Sequence, residues 1–343
     1  METTTVTAPV RRSGRRTLVF AGIAALSVVA LVWAIMVTRP DPEPAVAMTS
    51  PGLAYTTPLA RFASNAAAIA AVGSALFLLL LGAAGRARYA AIADRARVIA
   101  VGAGLIWVTA STTTWWLQAA SVSESGSTMP FAGLASYALR VSSGRALVVT
   151  VLAAAAFTLL ALTKPHNWWA EGCLAVALIG LIAVPLTGHA SQSTAMWLTS
   201  PAICLHLCAV SLWVGGLALT AVLVSAHRSA LALVLPRFST VAGLSLATVA
   251  VTGFLLAGPR LLKDATPDPF ALVNVMMHSP AGWLVTGKLI GLMLLAATGG
   301  YIRQFLMPSV QREETSGLAK LATVEVTLMA VTIALATALA RPL

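Results

Sequence analysis

Long uninterrupted apolar runs constrain this chain more than any other feature. A bilayer core of about 30 Å needs about 20 consecutive apolar residues in a helix rising about 1.5 Å per residue. About nine stretches reach that length: 17–37, 63–84, 98–119, 145–163, 168–187, 202–226, 238–257, 281–302 and 319–340. In hydrocarbon each backbone N–H and C=O must be bonded inside its own segment, so such runs fold as helices. The expected fold is all-α, a polytopic membrane helical bundle of about nine transmembrane helices. Composition agrees, since 10% of the residues are charged and 58% hydrophobic, whereas a soluble domain carries about 25% charge. No long polar segment leaves room for a sizeable extramembrane domain.

The net charge of +11 does not imply nucleic-acid binding, because the basic residues sit in short loops where they set orientation. Arg11, Arg12, Arg15 and Arg16 precede the first run, and Arg86, Arg88, Arg95 and Arg97 follow the second. Counted over alternate loops, Lys and Arg favour one side by roughly two to one. This predicts a cytoplasmic N-terminus, an outside C-terminus and a multi-pass location in the cytoplasmic (inner) membrane. Ala45-Val46-Ala47 resembles a signal cleavage site. The apolar core before it is longer than the 7–15 residues of a signal peptide, so a retained anchor is expected. Three units follow: residues 1–40 as a basic tail and anchor helix, 41–184 as N-terminal transmembrane helices, and 185–343 as a second transmembrane domain. Cys173, Cys204 and Cys208 all fall inside apolar runs, and no disulfide framework is legible.

Within 202–226, His206 and the cluster Trp213-Val214-Gly215-Gly216-Leu217 stand out. An imidazole in a hydrocarbon span is costly unless it meets a metal, a cofactor or a hydrogen-bond partner. Adjacent glycines let a neighbouring backbone or a flat ligand come close. His206 and Trp213 share a helical face about two turns apart. In the expected orientation His189, His206, Met276, Met277 and His278 all lie toward the outer face, while His166 and His227 are interface histidines on the cytoplasmic side. Imidazole with thioether suits copper, so those five residues are candidate metal ligands. The alternative is that His206 bonds a backbone carbonyl of a neighbouring helix and the methionines fill space. Cys204 and Cys208 share a face from which His206 points away, and buried thiols are usually packing.

Lys288 and Glu325 are ionisable groups in the last two runs, separated in depth by about 10 Å. Each is expected to face the bundle interior, as a structural clamp or as charge along a translocation path. Glu171 in a first turn favours the helix dipole, and Trp168-Trp169 and Trp115-Trp116 read as interface anchors. No nucleotide loop, hydrolase elbow, zinc-protease motif or paired-carboxylate arrangement is present, so no catalytic residue is assigned and an enzyme is not expected.

The segment GHASQSTAMWLTSPAICLHLCAVSLWVGGLALTAVL resembles the copper resistance protein D (CopD) family, with its GHA turn followed by H-x6-W-x-G-G-L. FSTVAGLSLATVAVTGFLLAG, TGKLIGLMLLAATGGYIR and VEVTLMAVTIALATALA continue the likeness over roughly 185–340. The entry into the second run, SPGLAYTTPLARF, resembles actinobacterial members, here of the type lacking the fused CtaG-like oxidase-assembly domain. The resemblance implies that 185–343 is a CopD-like copper-handling domain contributing to copper homeostasis and resistance. It also implies copper transport across the cytoplasmic membrane, beside a periplasmic CopC-like carrier or oxidase-assembly factors. His189 and His206 become candidate copper ligands. Trp213, Gly215 and Gly216 shape the helix packing around them, and Lys288 and Glu325 match the family's intramembrane lysine and acid. Two other readings stay open. A His followed by small residues in a bundle also suits a b-type haem, and a ligand-free assembly partner for cytochrome oxidase needs no site at all.

Overall fold

Seven of the apolar runs lie on helices, seen in a computed structural model that describes residues 51–122, 131–163, 168–187, 196–224, 227–261 and 280–301, with isolated positions 22, 29, 277, 304 and 305. The helices are α1 (Pro51–Arg88), α2 (Ala90–Val122), α3 (Phe131–Arg140), α4 (Ser142–Leu162), α5 (Trp169–Ala183), α6 (Met196–Val224), α7 (Arg228–Leu261) and α8 (Pro280–Tyr301). A short 3-10 turn, Pro185–Thr187, follows α5.

Five segments are long and apolar enough to cross a bilayer: Tyr55–Arg88, Ser142–Leu162, Trp169–Thr187, Met196–Val224 and Arg228–Leu256. They coincide with the runs expected at 63–84, 145–163, 168–187, 202–226 and 238–257. The run 98–119 lies in α2, whose apolar sequence is interrupted by Ser111-Thr112-Thr113-Thr114. The run 281–302 lies on α8. The expected crossings at 17–37 and 319–340, and both chain termini, lie outside the described residues. Helix α3 was not expected. It presents Phe131 and Leu139 outward while Tyr137 turns inward, its hydroxyl 2.8 Å from Ser143 Oγ.

Helix α1 is the hub, packing against α2, α5, α6 and α7. In the most apolar windows of α1 and α6, 61% of the residues are buried, against 17% in α7. Small residues allow this density. Trp107 of α2 meets Phe157 of α4 edge-on at 6.4 Å. A Cβ on Gly180 of α5 would sit 2.8 Å from the Trp107 ring, so only glycine fits beneath it. Thr150 of α4 approaches Gly180 O at 3.0 Å, tying the two helices together. The perimeter carries exposed Leu105, Ile106, Leu152, Leu159, Leu244 and Phe254, an apolar surface too extensive for water.

Trp168-Trp169 do not act as a matched pair of anchors. Trp168 is exposed, but Trp169 is only 2% exposed. Its indole N–H donates to Leu160 O at 2.7 Å, and the Arg97 guanidinium stands 5.6 Å above its ring. The physical reason is helical phase: successive residues point about 100° apart, so one tryptophan of a pair turns into the bundle. Glu171 is in the first turn of α5 as expected.

Near one end of α1 the helix breaks at Gly82, with φ 70° and ψ 170°. Such a break withdraws helical N–H partners from the carbonyls just before it, and in lipid those carbonyls need replacements. Two arginines supply them: Arg86 Nη1 donates to Leu78 O at 3.0 Å, and Arg237 Nη1 from α7 donates to Leu80 O at 2.6 Å. The break thereby becomes a tie between α1 and α7. Backbone of this kind is tolerated essentially by glycine alone, so Gly82→Ala is expected to cost roughly 1–3 kcal/mol. Thermal unfolding in detergent checks this, with Gly102→Ala as the neutral control because open space surrounds its Cβ position.

Candidate functional site

Helix α6 places its inward residues at alternating steps of three and four. Thr199, Ala202, Ala209, Trp213, Gly216, Thr220 and Leu223 are buried, and half-buried His206 falls in step between Ala202 and Ala209. That spacing keeps one stripe facing a neighbouring helix. Helix α7 has a matching stripe of Leu231, Leu235, Phe238, Ser245, Val249 and Thr252, all buried. The two helices are joined at 225–227 and pack antiparallel, with Gly216 opposite Phe238 and His206 opposite Thr252.

His206 Nδ1 lies 2.9 Å from Thr252 Oγ1. Thr252 is 4% exposed, and its hydroxyl lies 2.5 Å from Thr248 O and 3.4 Å from Val249 O. A Cβ on Gly253 would be 3.7 Å from His206 Cε1, so the imidazole edge runs along the α7 backbone. A side-chain hydroxyl of α7 is thus a partner of Nδ1. The helix begins at Met196 and accommodates Pro201 inside it, so His206 lies about 15 Å along α6 from that start.

Trp213 is 6% exposed and forms an apolar layer with Val214, Leu217 and Phe238, flanked by Ile69, Leu246 and Leu292. The two glycines serve different neighbours. Gly215 meets α1, where a Cβ would collide with Ile69 O and lie 2.9 Å from Gly73 Cα, while a Cβ on Gly216 would lie 2.6 Å from the Phe238 ring. Gly73 and Gly215 thus bring two backbones into contact. Gly73 and Thr252 were both missed in the sequence reading; the signals were a glycine inside AAVGSALF and a threonine in step with the α7 stripe.

The remaining candidates divide by location. Met277 is 62% exposed, and its carbonyl accepts from Trp283 Nε1 at 2.5 Å. His189, Met276, His278 and Glu325 lie outside the described residues, so neither the approach of His189 to His206 nor a Lys288–Glu325 pairing falls within them. Lys288 lies in α8, four residues before Leu292 of the Trp213 layer. Cys204 and Cys208 are both half-buried free thiols. Toward the other end of α6, Asp94 and His227 line a cleft of about 390 Å³ with Val222 and Leu223. Among the described residues no group of three or more His, Cys, Asp or Glu side chains could hold a metal ion.

Residues 48–200 match the Copper resistance protein D-like, N-terminal domain, and residues 232–339 match Copper resistance protein D. Together they cover well over half of the chain. No curated protein and no solved structure matches it.

The glycine contacts separate two substitutions of equal size. Gly215→Ala forces a methyl into the Ile69 carbonyl and is expected to lower stability by about 1–3 kcal/mol. Gly253→Ala meets His206 at ordinary contact distance and is expected to fall within about 0.5 kcal/mol of wild type. Melting temperatures of the two variants in the same detergent check the difference.

Proposed function

The chain belongs to the copper resistance protein D family, and on that premise we propose that it carries copper across the cytoplasmic membrane from the outer face. It is a multi-pass membrane protein with a role in copper handling. The observation that carries the transport reading is His206: an imidazole in a membrane-capable helix, on the stripe facing α7, its Nδ1 held by a buried hydroxyl. Metal-binding histidines characteristically have the other ring nitrogen fixed in this way.

In this reading His206 supplies one ligand and His189, Met276, Met277 and His278 supply the others at the same end. All are neutral when coordinating, and nitrogen with thioether suits copper, Cu(I) above all. Without a carboxylate the ion keeps its charge, which holds binding weak enough for release, as conduction requires. The Trp213 layer lies about 10 Å further along α6 and acts as a dry barrier that a passing cation must open. Beyond the first ligands, Lys288 would repel copper unless Glu325 neutralises it. The two are thus assigned to the path as an opposed pair.

Outward ligands suit delivery by a soluble CopC-like carrier, and the product on the far side serves copper homeostasis or an oxidase under assembly. The basic-loop asymmetry supports a cytoplasmic N-terminus. His206→Ala is expected to reduce copper retained by purified protein by about tenfold or more and to lower cellular copper accumulation at limiting copper. Unchanged values in both assays would overturn the transport reading. A Soret band in the wild type that disappears in the variant would assign His206 to haem instead.

A further inference from the structure

Which nitrogen of His206 faces a ligand is decided by counting protons on its neighbour. A hydroxyl has one hydrogen to donate and lone pairs to accept with. Thr252 Oγ1 sits 2.5 Å from Thr248 O, close even for an O–H···O bond. A carbonyl has no hydrogen, so the Thr252 proton must lie between those two oxygens. Were it turned toward His206 instead, two oxygens would face each other at that distance with nothing between them. Thr252 therefore meets Nδ1, 2.9 Å away, as an acceptor, and Nδ1 must carry the hydrogen.

We propose that Thr252 is a positioning residue that locks neutral His206 in the Nδ1–H tautomer, so that Nε2 is the nitrogen carrying the coordinating lone pair. The chain of bonds runs from His206 Nδ1–H to Thr252 Oγ1 and from Thr252 Oγ1–H to Thr248 O. Three features hold it rigid. Thr252 is buried, threonine is restricted at χ1 in a helix and its hydroxyl commonly bonds back to the preceding turn, and Gly253 leaves the ring edge against the α7 backbone. An imidazole without such a partner can hold its proton on either nitrogen, and with the proton on Nε2 it presents no lone pair there. The ligand class is a soft or borderline metal cation, which rests on the copper reading of His206; the tautomer assignment does not.

The test separates the two. Long-range 15N–1H correlation of histidine-labelled protein in detergent, with the His206 signals identified by their loss in His206→Asn, reports which ring nitrogen is protonated. The wild type is expected to show Nδ1–H, Thr252→Val to shift toward Nε2–H, and Thr252→Ser to return to Nδ1–H. Copper(I) titration of the same proteins is expected to show about tenfold weaker binding in Thr252→Val, restored in Thr252→Ser. A wild-type ring protonated on Nε2 overturns the inference and needs no variant to fold. A tautomer unchanged in Thr252→Val overturns it equally. If the tautomer moves as expected but copper binding is the same in wild type, Thr252→Val and His206→Asn, the lock stands and the copper reading falls.

Discussion

Two helices can share a membrane-embedded interface without a hydrophobic driving force only if their backbones come close enough for dispersion and dipole contacts to accumulate. Here that condition is met where Gly73 of α1 touches Gly215 of α6. The contact fixes the two most buried of the five membrane-capable spans against each other. With α1 seated on α6, Gly216 takes the Phe238 ring of α7, and the Trp213 layer closes over Ile69 of α1. The same principle recurs across the bundle at Gly180, where the missing side chain admits Trp107.

A second constraint is that polar groups in hydrocarbon must be satisfied by what is already there. Several hydroxyls meet it with short, local bonds, while Thr220 Oγ1, Thr286 Oγ1 and Trp115 Nε1 are buried with no hydrogen-bond partner among the described residues. Ser74 returns to Ala70 O, Ser111 to Trp107 O, Thr114 to Ala110 O and Thr158 to Ala154 O. At Gly82 the helix itself is broken, and the replacement donors are arginines, one of them from α7. The His206–Thr252–Thr248 chain follows this pattern, with an imidazole added to a hydroxyl that already bonds backward. An imidazole in this setting is costly to keep without a partner, and here a buried hydroxyl lies within hydrogen-bond distance of it.

Much of the site was legible one helix at a time. The seven-residue spacing put His206 and Trp213 on one face, and the glycine pair announced a close approach; both hold in α6. What could not be read was the partner of each. Gly215 and Gly216 look equivalent in sequence, yet one meets a backbone and the other an aromatic ring, because adjacent helix positions point in different directions. The split of Trp168 and Trp169 between surface and core has the same origin. Helix α3 escaped because ten residues are too few to register as a span, and α6 extends ahead of the apolar run at 202–226 with Pro201 inside it.

The sequence alone determined the solvent and therefore the secondary structure. Apolar runs of bilayer length leave the backbone no partner but itself, which is a local condition needing no knowledge of neighbours. Only the tertiary structure decided which groups meet: Gly73 with Gly215, Arg237 with Leu80 O, and Thr252 with His206. Those pairings depend on the register and facing of one helix against another. Inside a membrane, where every residue on the lipid and core sides is apolar alike, hydrophobic patterning does not encode that register; the fit of small residues and the pairing of the few polar groups do.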